Sequence, residues 1–130
     1  MDILLDACVI MAVLLEEPEK DMVLELTKKS FLIVPDVIDF EIGNALSKLY
    51  KRRIITEKEV YEALLIYQQM PLHKKTVDIN HSLRISCKYS IYAYDAYYLE
   101  MASRFNIALL TFDTDMKTVA SDLKINILEG

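Results

Sequence analysis

The sequence predicts an α/β fold, a mostly parallel sheet of five strands with helices packed on both faces. Three observations carry that prediction. Short apolar runs alternate with amphipathic segments along all 130 residues, which is the pattern of strands joined by helical crossovers. Hydrophobic residues make up 53% of the chain, enough for a core without disulfide or metal staples. Two of the apolar runs end on acids, Asp6 and Asp113, and the carboxyl ends of parallel strands are where such sheets collect ligands. A chain of this length is the size of one ordinary domain, so a single domain over residues 1–130 is expected.

Ile3-Leu4-Leu5-Asp6-Ala7-Cys8 is the first strand with its carboxylate at the far end. Val9 to Leu15 reads as a short apolar helix, broken by Glu16-Glu17-Pro18 before a second helix from about Glu19 to Lys29. Phe31 to Val34 is the second strand. Pro35-Asp36 opens a long helix with Asp36 as N-cap and Asp39 in its first turn. Its apolar stripe is Ile38, Ile42, Ala45 with Leu46, and Leu49. Thr56 and Glu59 form a capping box for a helix running to about Gln69, amphipathic through Val60, Ala63, Leu64 and Tyr67. Thr76 to Ile79 reads as a short third strand, followed by helices from about His81 to Tyr89 and Tyr94 to Phe105. Ile107 to Phe112 is a fourth strand, Asp113 to Ala120 a helix, and Ile125 to Leu128 a fifth strand.

Composition excludes several functions. The longest apolar run, Val9 to Leu15, is too short to cross a bilayer, and Asp2 and Asp6 stand where a signal peptide carries basic residues. A cytoplasmic protein is expected. Its only glycines, Gly43 and Gly130, rule out a phosphate-cradling glycine loop. Cys8 and Cys87 have no C-x-x-C companion, so both read as buried, reduced thiols. His73 and His81 lack ligand spacing and read as surface residues. The formal charge of −5, from 15 basic and 20 acidic residues, argues against holding nucleic acid by broad electrostatics alone.

Four acids occupy comparable places: Asp6 and Asp113 at strand ends, and Glu41 and Asp95 on helices beside buried stripes. For each strand-end or first-turn acid the plain alternative is a cap or a dipole-favoured charge. Together they form a cluster whose members repel and raise one another's pKa unless a cation lies among them. Mg²⁺ or Mn²⁺ suits an all-carboxylate set better than zinc does.

Asp6-Ala7-Cys8-Val9-Ile10, Pro35-Asp36 leading to Glu41-Ile42-Gly43-Asn44-Ala45-Leu46, Tyr94-Asp95-Ala96-Tyr97-Tyr98-Leu99-Glu100-Met101-Ala102 and Leu110-Thr111-Phe112-Asp113 resemble the motifs of PIN-domain ribonucleases. The likeness is greatest to VapC-type toxins of toxin–antitoxin pairs and runs in order over essentially the whole chain. It implies a three-layer α/β/α sandwich with strand order 3-2-1-4-5 and a metal-dependent endoribonuclease site at the carboxyl edge. On that resemblance Asp6, Asp95 and Asp113 are metal ligands, and Glu41 completes the catalytic quartet directly or through water. Asn44 matches a position that helps organise the site, while Asp115 is either a supporting acid or the cap of the last helix.

Cys8 departs from the usual pattern of the family, Ser or Thr two residues after the first Asp, and a thiol is a weaker donor. A catalytic thiol is its other reading, but no His is placed to activate it. Lys48, Lys51, Arg52 and Arg53 form the best basic cluster for gripping RNA, with Lys74, Lys75, Arg84 and Lys88 as a second. Both clusters also read as solvated helix ends. Tyr89, Tyr92, Tyr94, Tyr97 and Tyr98 surround Asp95 and fit either base stacking or packing.

The resemblance further implies a homodimer and an antitoxin laid over the acidic groove, with the helical segments 9–29 and 56–70 as docking surfaces. Two alternatives stand beside it. One is a non-catalytic PIN-like module that binds RNA or protein. The other is a receiver-type phospho-signalling domain, which would carry an acid pair after its first strand where this chain has Asp6 alone.

Overall fold

The computed structural model describes residues 1–129. Its strands are β1 (Asp2–Leu5), β2 (Phe31–Pro35), β3 (Leu72–Lys75) and β4 (Ala108–Leu110). Its helices are α1 (Ala7–Leu14), α2 (Lys20–Thr27), α3 (Ile38–Lys51), α4 (Glu57–Gln69), α5 (Ile79–Tyr89), α6 (Ala93–Phe105) and α7 (Thr114–Asp122). The strands form one parallel sheet in the order β3-β2-β1-β4. Ile3 and Leu4 of the central strand pair with Leu32 and Ile33 on one side and with Ala108 and Leu109 on the other. Strands covered on both faces lose their alternation, and Ile3, Leu4, Ile33, Val34, Leu109 and Leu110 are all buried.

The helices supply the rest of the core. Ile38, Ile42 and Leu46 of α3 are buried one or two turns apart, as their spacing requires, with Ala45 and Leu49 packed against the core edge. The capping box of α4 is complete: Glu59 N–H donates to Thr56 Oγ1 and Thr56 N–H to a Glu59 carboxylate oxygen. Leu99 and Ala102 of α6 continue inward from the face that carries Asp95.

Four expectations are corrected. The third strand is Leu72–Lys75, not residues 76–79, because Leu72 to Lys75 pair with Leu32 to Pro35 while Ile79 already begins α5. It is an edge strand, so its polar side chains stay in water and hide the strand pattern. Residues 125–128 make only one parallel bridge, Leu109 with Ile127, on the outer side of β4, giving four strands where five were expected. Asp36 does not cap α3: Val37 holds the N-cap position, and Asp36 N–H instead donates to Lys75 O at 2.8 Å, extending the β2–β3 ladder. Cys87 is exposed on α5 and Cys8 half-buried, so only Cys8 approaches the interior.

Among the described residues, no helix is long and apolar enough to cross a membrane.

Candidate metal centre

Asp6 directly follows β1, and its N–H donates to Leu110 O at 3.1 Å, continuing the ladder between the two strands. That bond fixes the acid at the carboxyl edge of the sheet. Asp6 occupies the N-cap position of α1 yet makes no side-chain capping bond. Its carboxylate instead turns inward, 7% exposed, where Oδ2 accepts from Thr111 Oγ1 at 2.7 Å and from Cys8 Sγ at 3.0 Å. The cap reading therefore fails for Asp6.

For Asp113 the cap reading holds. Its Oδ1 accepts from the N–H groups of Asp115 and Met116 at 2.9 and 3.1 Å, closing the first turn of α7. Its own N–H donates to Thr111 Oγ1 at 3.1 Å. Capping engages one carboxylate oxygen, and no hydrogen bond to Oδ2 is present among the described residues. Asp115 is exposed and contributes its N–H to this cap, so it is not the capping side chain.

Thr111, 1% exposed, donates to Asp6 and accepts from Asp113 N–H, locking the two strand-end acids together. The motif Leu110-Thr111-Phe112-Asp113 alone does not reveal this role of Thr111. The available signal was a hydroxyl inside the apolar run Ile107 to Phe112, since a buried hydroxyl needs a partner.

Glu41 and Asp95 approach from the first turns of α3 and α6, where the helix dipoles favour negative charge. Glu41 Oε1 accepts from the hydroxyl of fully buried Tyr98 at 2.8 Å. Burial pushes the Glu41 carboxyl up to about 7 against the restraint of that bond, and the charges of Asp6 and Asp95 add to the rise. Asp95 is pushed up to about 6, by burial first and then by Asp113, Asp6 and Asp115. Tyr98 is itself held far above the usual phenol range by burial and the neighbouring acids, so it remains a donor. Glu41 thus feels the charges of Asp6 and Asp95, and Asp95 those of Asp113, Asp6 and Asp115.

The Cys8 thiol donates to Asp6, in the position where a supporting hydroxyl was expected. Burial and the adjacent Asp6 push it up to about 12, which suits a neutral donor and not a nucleophile. The side chain of Asn44 is exposed and makes no hydrogen bond to the four acids. Of the first basic cluster, Lys48 shares a groove with Glu41, whereas Lys51, Arg52 and Arg53 lie at the far end of α3, about 15 Å or more along its axis. In the second, Lys74 is engaged by Asp39 at 2.5 Å and Lys75 lies over the Phe105 ring. His73 and His81 are exposed.

The donor chemistry fits a hard divalent cation. The cluster offers only carboxylate oxygens, two of its members are pushed up by burial and, after it, by the neighbouring acids, and no salt bridge neutralises any of the four among the described residues. As placed, no three His, Cys, Asp or Glu side chains among the described residues stand close enough to hold one ion. Ligation would have to draw the acids together.

Residues 3–122 match the PIN domain family. No curated protein matches the sequence. Several solved structures share the fold. The crystal structure of PAE2754 from Pyrobaculum aerophilum superposes with a TM-score of 0.65 at 18% identity, over 95% of this chain and 90% of that one. VapBC2 from Rickettsia felis, bound to a DNA fragment from its promoter, gives 0.69 at 17% identity over 99% and 98%. FitAcB from Neisseria gonorrhoeae gives 0.69 at 15% identity over 98% and 96%.

Proposed function

Because the chain belongs to the PIN domain family, we propose that it is a Mg²⁺- or Mn²⁺-dependent endoribonuclease of the VapC type, hydrolysing RNA phosphodiester bonds by in-line attack of water. The observation that carries this reading is that Asp6, Glu41, Asp95 and Asp113 lie near enough to feel one another's charge, with no salt bridge to any of them among the described residues. Asp6, Asp95 and Asp113 would hold the divalent ion, which would supply positive charge to the scissile phosphate and lower the pKa of water. The protein's own contribution is positional. Thr111 and Cys8 hold Asp6 in one orientation, and capping of α7 does the same for Asp113. Glu41 keeps Oε1 on Tyr98 and leaves Oε2 to accept a proton from water.

The toxin reading extends to partners. A homodimer in the cytoplasm, silenced by an antitoxin, fits the likeness to VapBC2 and FitAcB. An apolar groove of about 330 Å³ between α1, α2 and α4, lined by Val9, Val13, Val23, Leu24, Ile66 and Met70, supports docking of an antitoxin segment there. The separation of the acids favours one other reading, a non-catalytic PIN-like binding module.

Cleavage decides between them. Single-stranded and structured RNAs incubated with Mn²⁺ should be cut by the wild type, leaving 5′-phosphate and 3′-hydroxyl ends, and not by Asp6→Asn or Asp95→Asn. Undiminished cutting by both variants, or none by the wild type, overturns the ribonuclease reading.

A further inference from the structure

Beside the acidic cluster, α3 and the start of α6 line an open groove of about 370 Å³. It is lined by Phe40, Glu41, Asn44 and Lys48 of α3 and by Tyr94 of α6. Phe40 is 72% exposed and Tyr94 49% exposed, although each immediately precedes an acid of the quartet in sequence. Large aromatic side chains left in water at a groove mark a binding surface more often than a core. Tyr94 also packs edge-on against Tyr97, with centroids 5.6 Å apart and planes at 78°, so its ring is braced before any ligand arrives.

The polar groups complete the arrangement. Phe40, Asn44 and Lys48 recur at i, i+4 and i+8 and so share one face of α3, next to Glu41. Lys48 is exposed and makes no salt bridge among the described residues, leaving its ammonium for an anion. The Asn44 amide makes no side-chain hydrogen bond within the chain among the described residues and offers both a donor and an acceptor. An aromatic pair, an amide and a cation in a space of this size suit one nucleotide: ring faces for the base, the amide for its edge, the ammonium for a phosphate.

Resting on the ribonuclease reading, we propose that this groove is a subsite for one unpaired nucleotide next to the scissile phosphate, its base stacked on Phe40 and Tyr94. A base within a duplex cannot reach the rings.

The test measures binding of a fluorescein-labelled single-stranded oligoribonucleotide and of a matched blunt duplex in Mg²⁺, with Asp95→Asn as the background so that nothing is cut. Phe40→Ala and Tyr94→Ala should each weaken the single strand roughly 5- to 100-fold and leave the duplex unchanged. Phe40→Trp should restore affinity, and its indole emission, the only one in a chain without tryptophan, should be quenched by the single strand alone. Unchanged single-strand affinity in both alanine variants overturns the subsite. So does an equal loss for the duplex, or a loss confined to a protein partner. The same alanine substitutions in the wild-type chain separate the two claims. Mn²⁺-dependent cleavage with an unaltered KM for single-stranded RNA sinks the subsite alone, while no cleavage by the wild type sinks the ribonuclease reading on which it rests.

Discussion

The hydroxyl of Thr111 donates to Asp6 Oδ2 at 2.7 Å across 105 residues of sequence, holding the carboxylate of the buried acid that follows β1 against the end of β4. Removing it leaves an almost fully buried carboxylate with the thiol of Cys8 as its remaining side-chain donor. Thr111→Val should therefore cost about 1.5–3 kcal/mol, the usual worth of a buried bond to a charged group. Thr111→Ser should stay near the wild type. Urea unfolding of both variants at neutral pH checks this, and equal stability of the valine and serine variants would contradict it.

Tyr98 acts on the chemistry of Glu41 more than on the fold. Its hydroxyl is the influence that lowers the Glu41 carboxyl against burial. In Tyr98→Phe the carboxyl should rise further. The pH at which Mn²⁺ binding is half-maximal should then move up by roughly half to one unit, the equivalent of a bond worth about 1 kcal/mol. Mn²⁺ titrations between pH 5 and 9 read the shift directly.

The metal-free protein should lose stability as pH rises. Glu41 is raised from 4.5 to about 7 and Asp95 from 3.8 to about 6. A carboxyl whose folded pKa lies above its unfolded value contributes stability that is complete below the unfolded value and lost as pH climbs through the folded one. Asp39 is shifted the other way by Lys74 and Tyr67, so its stabilisation is present above 3.8 and lost only in more acid solution. Between pH 5 and 8 the two raised groups therefore decide the sign. With both partly open to solvent the change should be on the order of 1 kcal/mol, a few degrees in Tm. Glu41→Gln should flatten the profile, and so should saturating Mn²⁺. A metal-free Tm that is constant or increases over this range would contradict the reading.

The two thiols should separate under alkylation. Cys8 is held protonated by burial and by Asp6, whereas Cys87 is exposed. Iodoacetamide at pH 8 should label Cys87 at least ten times faster, followed by mass spectrometry, since the thiolate is the reacting species. Cys8→Ser, which keeps a donor to Asp6, should retain cleavage within a few-fold. Loss of activity in Cys8→Ser together with rapid labelling of Cys8 would restore the catalytic-thiol reading.

What could be read from the chain was what local patterns encode. The Thr56–Glu59 capping box needs only a four-residue window. The stripe from Ile38 to Leu46 needs only helical period, and β1 and β4 announce themselves as continuous apolar runs because both their faces are covered. The positions of the four acids were legible for the same reason, since each lies next to a predictable strand end or helix start. Pairing between distant segments left little local trace. β3 is a polar edge strand defined only by its partner β2, and the bonds from Thr111 to Asp6 and from Tyr98 to Glu41 span 105 and 57 residues. Asp36 shows the converse error: a good capping residue whose N–H was taken by the neighbouring strand.

The central claim is that Asp6, Glu41, Asp95 and Asp113 act as one divalent-cation centre. Isothermal titration of Mn²⁺ into the metal-free wild type and Asp6→Asn at pH 6, repeated in two buffers of different ionisation heat, tests it most directly. Binding by the wild type with release of protons, because the raised carboxyls of Glu41 and Asp95 must ionise to receive the ion, and at least tenfold weaker binding by Asp6→Asn, is the result the account predicts. No binding by the wild type, or equal affinity in Asp6→Asn, would contradict it.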